Sequence, residues 1–199
     1  MHKSRMEALS DGVIAIVITV MVLELTVPRG ASWGALGRVV PSLLTYVLSF
    51  TYLAIYWNNH HHMLQAVDHI DGKVLWANLH LLFWLSLIPF VTAWMGQNHF
   101  AAAPTTAYGV VLLLAAVAYY LLQQLLIAAN GPDSRLRRAI GPDLKGRLSP
   151  VLYLIAIASA LLGVRWLSNA LYIGVALVWV VPDRRIETTL VERTPTPKR

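Results

Sequence analysis

Residues 5–27 read RMEALSDGVIAIVITVMVLELTV, and the charge spacing in this stretch governs how the rest of the chain is read. Between Asp11 and Glu24 lies an uncharged run of twelve residues, 12–23. As a helix rising about 1.5 Å per residue it covers about 18 Å, well short of a hydrocarbon core about 30 Å thick. Asp11 or Glu24 therefore sits within or at the edge of that core, where a carboxylate is costly unless it faces protein or water. A helix lining an aqueous path meets that condition, and so does a carboxylate held in a structural network. Gly12, Ile16, Thr19, Leu23 and Val27 recur at spacings of four, three, four and four, which places them on one helical face. If copies of the helix surround an axis, Ile16 and Leu23 form apolar rings with a Thr19 ring between them, and apolar constrictions can gate by dewetting. Spacing alone favours an ordinary packing seam, with Thr19 bonded to its own backbone.

The remaining chain supports a lipid setting. Of 199 residues, 57% are hydrophobic and 13% charged, against about 45–50% and about 25% in soluble domains. The mean hydropathy is +0.58. So short a chain cannot hide that much apolar surface in one aqueous core. Such a composition excludes a secreted disulfide scaffold, a disordered chain and an ordinary soluble enzyme. The absence of cysteine excludes thiolate metal sites and cysteine nucleophiles.

Six apolar segments are candidate spans, the last two of them short: 6–27, 39–57 continuing toward 63, 74–95, 105–129, 148–164 and 166–181. Pro41 falls in the first turn of the second, where a missing N–H costs little. Pro89 predicts a kink in the third, and the last two read as a tight hairpin. If six helices alternate from a cytoplasmic N-terminus, only Arg29, Arg38 and Arg165 of the sixteen basic residues fall outside. That asymmetry places both termini in the cytoplasm and absorbs the net charge of +6 without nucleic acid. Glu7 and Asp11 spoil a signal-peptide reading, so a retained first helix is expected. Residues 1–183 form the expected six-helix transmembrane domain and 184–199 a cytoplasmic, disordered tail.

Polar residues gather toward the cytoplasmic side. Trp57, Asn58, Asn59, His60, His61 and His62 end the second helix. Consecutive histidines point in different directions, so the run is weak as a metal site and better suited to a network between helices. Asn78 is read as interhelical glue. The basic 131–147 loop is a topology signal that also suits anionic headgroups. No T-V-G-Y-G filter, P-loop or hydrolase motif occurs.

Arg5, Ser10, Asp11 and Gly12 resemble the R-x-x-x-F-S-D signature of the transmembrane protein 175 family, with Leu9 in place of phenylalanine. Residues 56–61 and 76–90 also resemble that family, so the likeness covers the first half. The resemblance implies a six-helix repeat that assembles as a homotetramer, with first helices lining a central potassium pore. It maps the aliphatic gate onto Ile16, with Val20 and Leu23 further along, and the selectivity threonine onto Thr19. It maps an inter-helix network onto Arg5, Ser10 and Asp11, joined by Trp57, His60, His61 and Asn78. The expectation is thus an all-α, polytopic channel of the cell inner (plasma) membrane that passes potassium without a cofactor, metal or enzymatic step. Its partners are its own copies, lipid and potassium. The alternative is a proton-coupled secondary transporter using Asp11 with His60, His61 and His62. A metal protein built on the histidines and a purely structural subunit are further rivals.

Overall fold

The computed structural model describes residues 3–131, 133–141 and 143–180, which exclude the expected 184–199 tail. Within them every regular element is a helix, with no strand. The elements are α1 (Lys3–Leu23), α2 (Trp33–Gln65), α3 (Gly72–Ser86), α4 (Ile88–Gln97), α5 (Ala102–Asn130), α6 (Arg135–Ile140), α7 (Leu144–Leu161) and α8 (Arg165–Val180).

Side-chain caps set several of the starts. Ser32 accepts from the Ala35 amide, Asp71 from Val74, Ser134 from Arg137 and Asp143 from Gly146, each satisfying an amide that lacks an intrahelical partner. The Ser32 cap starts α2 well before the expected position 39. Pro41 consequently lies inside the helix rather than in its first turn. The apolar segment 74–95 is interrupted at Leu87, and Pro89 opens α4, where its missing N–H is not needed. The expected kink is therefore a break between two helices. The six-residue α6 lies in the 131–147 loop, where no helix was anticipated. It buries Leu136 and Ala139 and exposes Arg137 and Arg138.

Five stretches are long and apolar enough to cross a bilayer: α1, α2, Gly72–Gln97, α5 and α7. The sixth expected span, α8, has 16 residues and covers about 24 Å.

The α5 helix is the axis of the packing. It contacts α3, α4, α7 and α8, while α1 lies against α2, α3 and α4. In lipid the driving force between helices is close packing and interhelical hydrogen bonding, and both are present. The buried Ser49 hydroxyl lies 2.6 Å from Thr92 and 2.9 Å from Tyr108. Tyr52 donates to the Tyr172 carbonyl (2.7 Å), Tyr172 to the Thr105 carbonyl (3.0 Å) and Ser168 to the Ala156 carbonyl (2.8 Å). These bonds tie α2, α4, α5, α7 and α8 into one scaffold.

Gly109 allows the closest approach, because a Cβ there would run into the Tyr172 hydroxyl and Ile157. Gly109→Ala should destabilise the protein by about 1–3 kcal/mol through overpacking, measured by thermal unfolding in detergent. Adding Tyr172→Phe, which removes the obstructing oxygen, should recover part of that loss.

Candidate pore helix and its polar anchor

One face of α1 is committed to the protomer. Met6, Ser10, Ile14, Val17 and Met21 are buried at helical spacing. Ser10 is the polar member of this row. Its hydroxyl donates to the Met6 carbonyl (2.8 Å) and accepts from Asn78 Nδ2 (2.9 Å). Asn78 Oδ1 lies 2.8 Å from His60 Nε2. An amide oxygen can only accept, so His60 carries its ring proton on Nε2. Ser10, Asn78 and His60 are all buried, and the chain of bonds joins α1, α3 and α2.

A second, more exposed layer lies beside it. The Trp57 indole donates to Asp11 Oδ1 (2.9 Å), and His61 Nδ1 lies 3.5 Å from Glu7 Oε1. The Gln65 amide lies 2.8 Å from His61 Nε2, an arrangement that leaves the ring proton on Nδ1, toward Glu7. The Trp57 and His61 rings stack with centroids 5.8 Å apart. Glu7 and Asp11 are four residues apart, as are Trp57 and His61, so antiparallel α1 and α2 pair them rung by rung. The Lys3 ammonium adds a bond to the Val67 carbonyl (2.9 Å).

Arg5 stands apart. It is exposed and has no hydrogen-bond or ion-pair partner among the described residues. The three histidines are dispersed: His60 faces Asn78, His61 faces Glu7 and Gln65, and His62 Nδ1 is buried without a partner. No group of three or more His, Asp or Glu among the described residues is placed to hold a metal.

The opposite face of α1 is uncovered. Ile16 is 63% exposed and Leu23 81% exposed, and Val20 and Thr19 are exposed with them. A Cβ added at Gly12 would meet nothing. The Thr19 hydroxyl donates to the Ile16 carbonyl (2.8 Å), so its hydrogen is occupied and its lone pairs remain available. Between α1 and α4 runs an open groove of about 610 Å³ lined by Ile16, Val20, Glu24, Pro89, Phe90 and Trp94, among others.

Glu7 and Gln65 belong to the anchor but were not singled out in the sequence. The signal that would have found Glu7 is the matched spacing of four on two neighbouring helices. The α4 wall of the groove carries no such signal, because it depends on where the break at Leu87 aims α4.

The family described as endosomal/lysosomal potassium channel TMEM175 matches residues 5–89. A potassium channel of Chryseobacterium sp. (strain P1-3) is 48% identical over 192 residues, covering 96% of this chain and 100% of that protein. A potassium channel of Chamaesiphon minutus is 31% identical over 189 residues, covering 89% of this chain and 91% of the relative. The crystal structure of a lysosomal potassium-selective channel TMEM175 homolog from Chamaesiphon minutus superposes with a TM-score of 0.80 at 30% identity, over 91% of this chain and 97% of that one.

Asn78→Leu should cost about 1–3 kcal/mol, because it strands the buried His60 Nε2–H, while the Ser10 hydroxyl keeps its bond to the Met6 carbonyl. Trp57→Phe, at a half-exposed bond, should cost less. Thermal unfolding of the two variants side by side checks the order.

Proposed function

The chain belongs to the TMEM175 family of potassium channels, and from that premise we propose that it conducts potassium passively through a pore lined by α1 at the axis of a homotetramer. It is a multi-pass membrane protein and not an enzyme. The observation that carries the reading is the two-faced α1: one face is fixed into the protomer by the Ser10–Asn78–His60 bonds, and the other presents Ile16, Thr19, Val20 and Leu23 outward.

Around a four-fold axis, Ile16, Val20 and Leu23 form the apolar constriction, and the lone pairs of Thr19 supply the polar ring between aliphatic ones. Such a pore discriminates cations with hydroxyls and field rather than with a carbonyl filter. Exposed Glu24 lies at the other end of α1 from the anchor, where four copies would concentrate cations at the mouth. The α4 wall of the groove, with Pro89, Phe90 and Trp94, is the surface a neighbouring subunit would cover.

Six crossings, by α1, α2, α3 with α4, α5, α7 and α8, would place both termini on one side, and the basic residues make that side cytoplasmic. Hydrogen bonding supports this grouping. Lys3 reaches Val67, Asn130 bonds the backbone of Asp68 and His69, and Arg135 pairs with Asp68, all at one end of the bundle. The inner (plasma) membrane is the proposed location, with lipid and other copies of the chain as partners, potassium as the permeant ion and no cofactor. A proton relay through Asp11 and the histidines is less well supported, since Asp11, His60 and His61 each face a different partner.

Potassium flux into liposomes tests the reading. Thr19→Ala should lower the potassium-to-sodium flux ratio, and Ile16→Asn should raise leak by wetting the constriction. If both variants behave as wild type, α1 is not the pore wall.

A further inference from the structure

A second cavity lies inside each protomer, away from α1. It is lined by residues of α2, α5, α7 and α8 and by the α7 cap Asp143, and its free volume is about 40 Å³. Tyr56, Tyr119, Tyr153 and Trp179 contribute aromatic walls. The Tyr56 and Tyr119 rings stand edge to face with centroids 6.0 Å apart.

Hydroxyls and amides border this space, and among its polar atoms two kinds of acceptor stand out. Gln123 is 5% exposed and lines the cavity, yet its Oε1 has no hydrogen-bond partner. A buried amide oxygen left so is expensive. Asp143 also lines the cavity. Its Oδ1 accepts from the Gly146 amide (3.0 Å) as the cap of α7, which leaves acceptor capacity on the carboxylate. Asn59 also lines the cavity; its Nδ2 donates to the Ile55 carbonyl (2.8 Å), and its amide oxygen adds a further acceptor. Aromatic faces, a carboxylate and an orphaned carbonyl oxygen all favour a cation that donates hydrogen bonds. The small volume restricts the inserted group to the size of an ammonium with little alkyl substitution.

We propose that this cavity binds an alkylammonium group, with Gln123 Oε1 and the Asp143 carboxylate accepting its N–H groups and the tyrosine and tryptophan rings enclosing it. Either a free small amine or the primary ammonium of an ethanolamine headgroup supplies that chemistry. The site shares no residue with the uncovered face of α1, so it stands or falls independently of the pore.

The test is saturable binding of radiolabelled methylammonium to the full-length protein in nanodiscs of phosphatidylglycerol, which carries no ammonium. Asp143→Asn keeps an oxygen to cap α7 and removes the charge; Gln123→Met removes the orphaned oxygen at similar volume. Each should weaken binding on the order of tenfold, while any methylammonium held in the pore is common to all three proteins. In phosphatidylethanolamine nanodiscs, loss of the signal identifies the headgroup as occupant, and retention identifies the free amine. Absence of saturable binding to wild type in phosphatidylglycerol, or equal affinity in wild type and both variants, overturns the proposal and leaves the cavity to water.

Discussion

The rotation of α1 about its own axis is set by a buried hydrogen-bond chain, and the outward face of the helix follows from it. Ser10, Asn78 and His60 bond in series across three helices. In a low-dielectric interior such bonds are strong when complete and costly when broken. Successive residues on a helix point about 100° apart, so turning α1 by one position would withdraw Ser10 from Asn78. The same turn would move Ile16 and Leu23 off the face they now present. Asp11 with Trp57 and Glu7 with His61 add rungs on the flank. All these polar contacts lie in the first half of α1, which anchors the lever, and buried Ile14, Val17 and Met21 pack the half that carries Ile16, Thr19 and Leu23.

The rest of the chain gives that lever a rigid mount. Tyr52, Tyr108 and Tyr172 are fully buried and hydrogen-bonded across α2, α5 and α8. Gly109 lets the Tyr172 hydroxyl reach the α5 backbone. The scaffold therefore achieves interhelical bonding with tyrosine and serine hydroxyls, while formal charges stay at its ends and edges. The same tyrosine-rich interior also encloses the small cavity beside Gln123.

Much of this architecture was legible because hydropathy and punctuation are local properties. Apolar runs marked the helices, Pro89 marked the break before α4, and the four-three-four spacing through Gly12, Ile16, Thr19 and Leu23 marked one face of α1. What escaped depends on partners distant in sequence. The early start of α2 follows from the Ser32 cap, which hydropathy does not register. The α6 helix is too short for periodicity to show. The pairing of Glu7 with His61 needed α1 and α2 aligned antiparallel, and the orphaned Gln123 oxygen needed four helices assembled. Arg5 shows the converse: its motif position implied a place in the network, whereas the side chain is exposed and has no partner within the protomer among the described residues.

The claim that the uncovered face of α1 meets water at a shared axis is open to one direct measurement. The chain has no cysteine, so a single cysteine introduced at Leu23 reports alone. Reconstituted channels carrying Leu23→Cys should lose potassium flux when a membrane-impermeant cationic thiol reagent is added. The same substitution at Leu154, exposed on α7, should leave flux unchanged under the reagent. Unimpeded flux after demonstrated modification at position 23 would contradict the account.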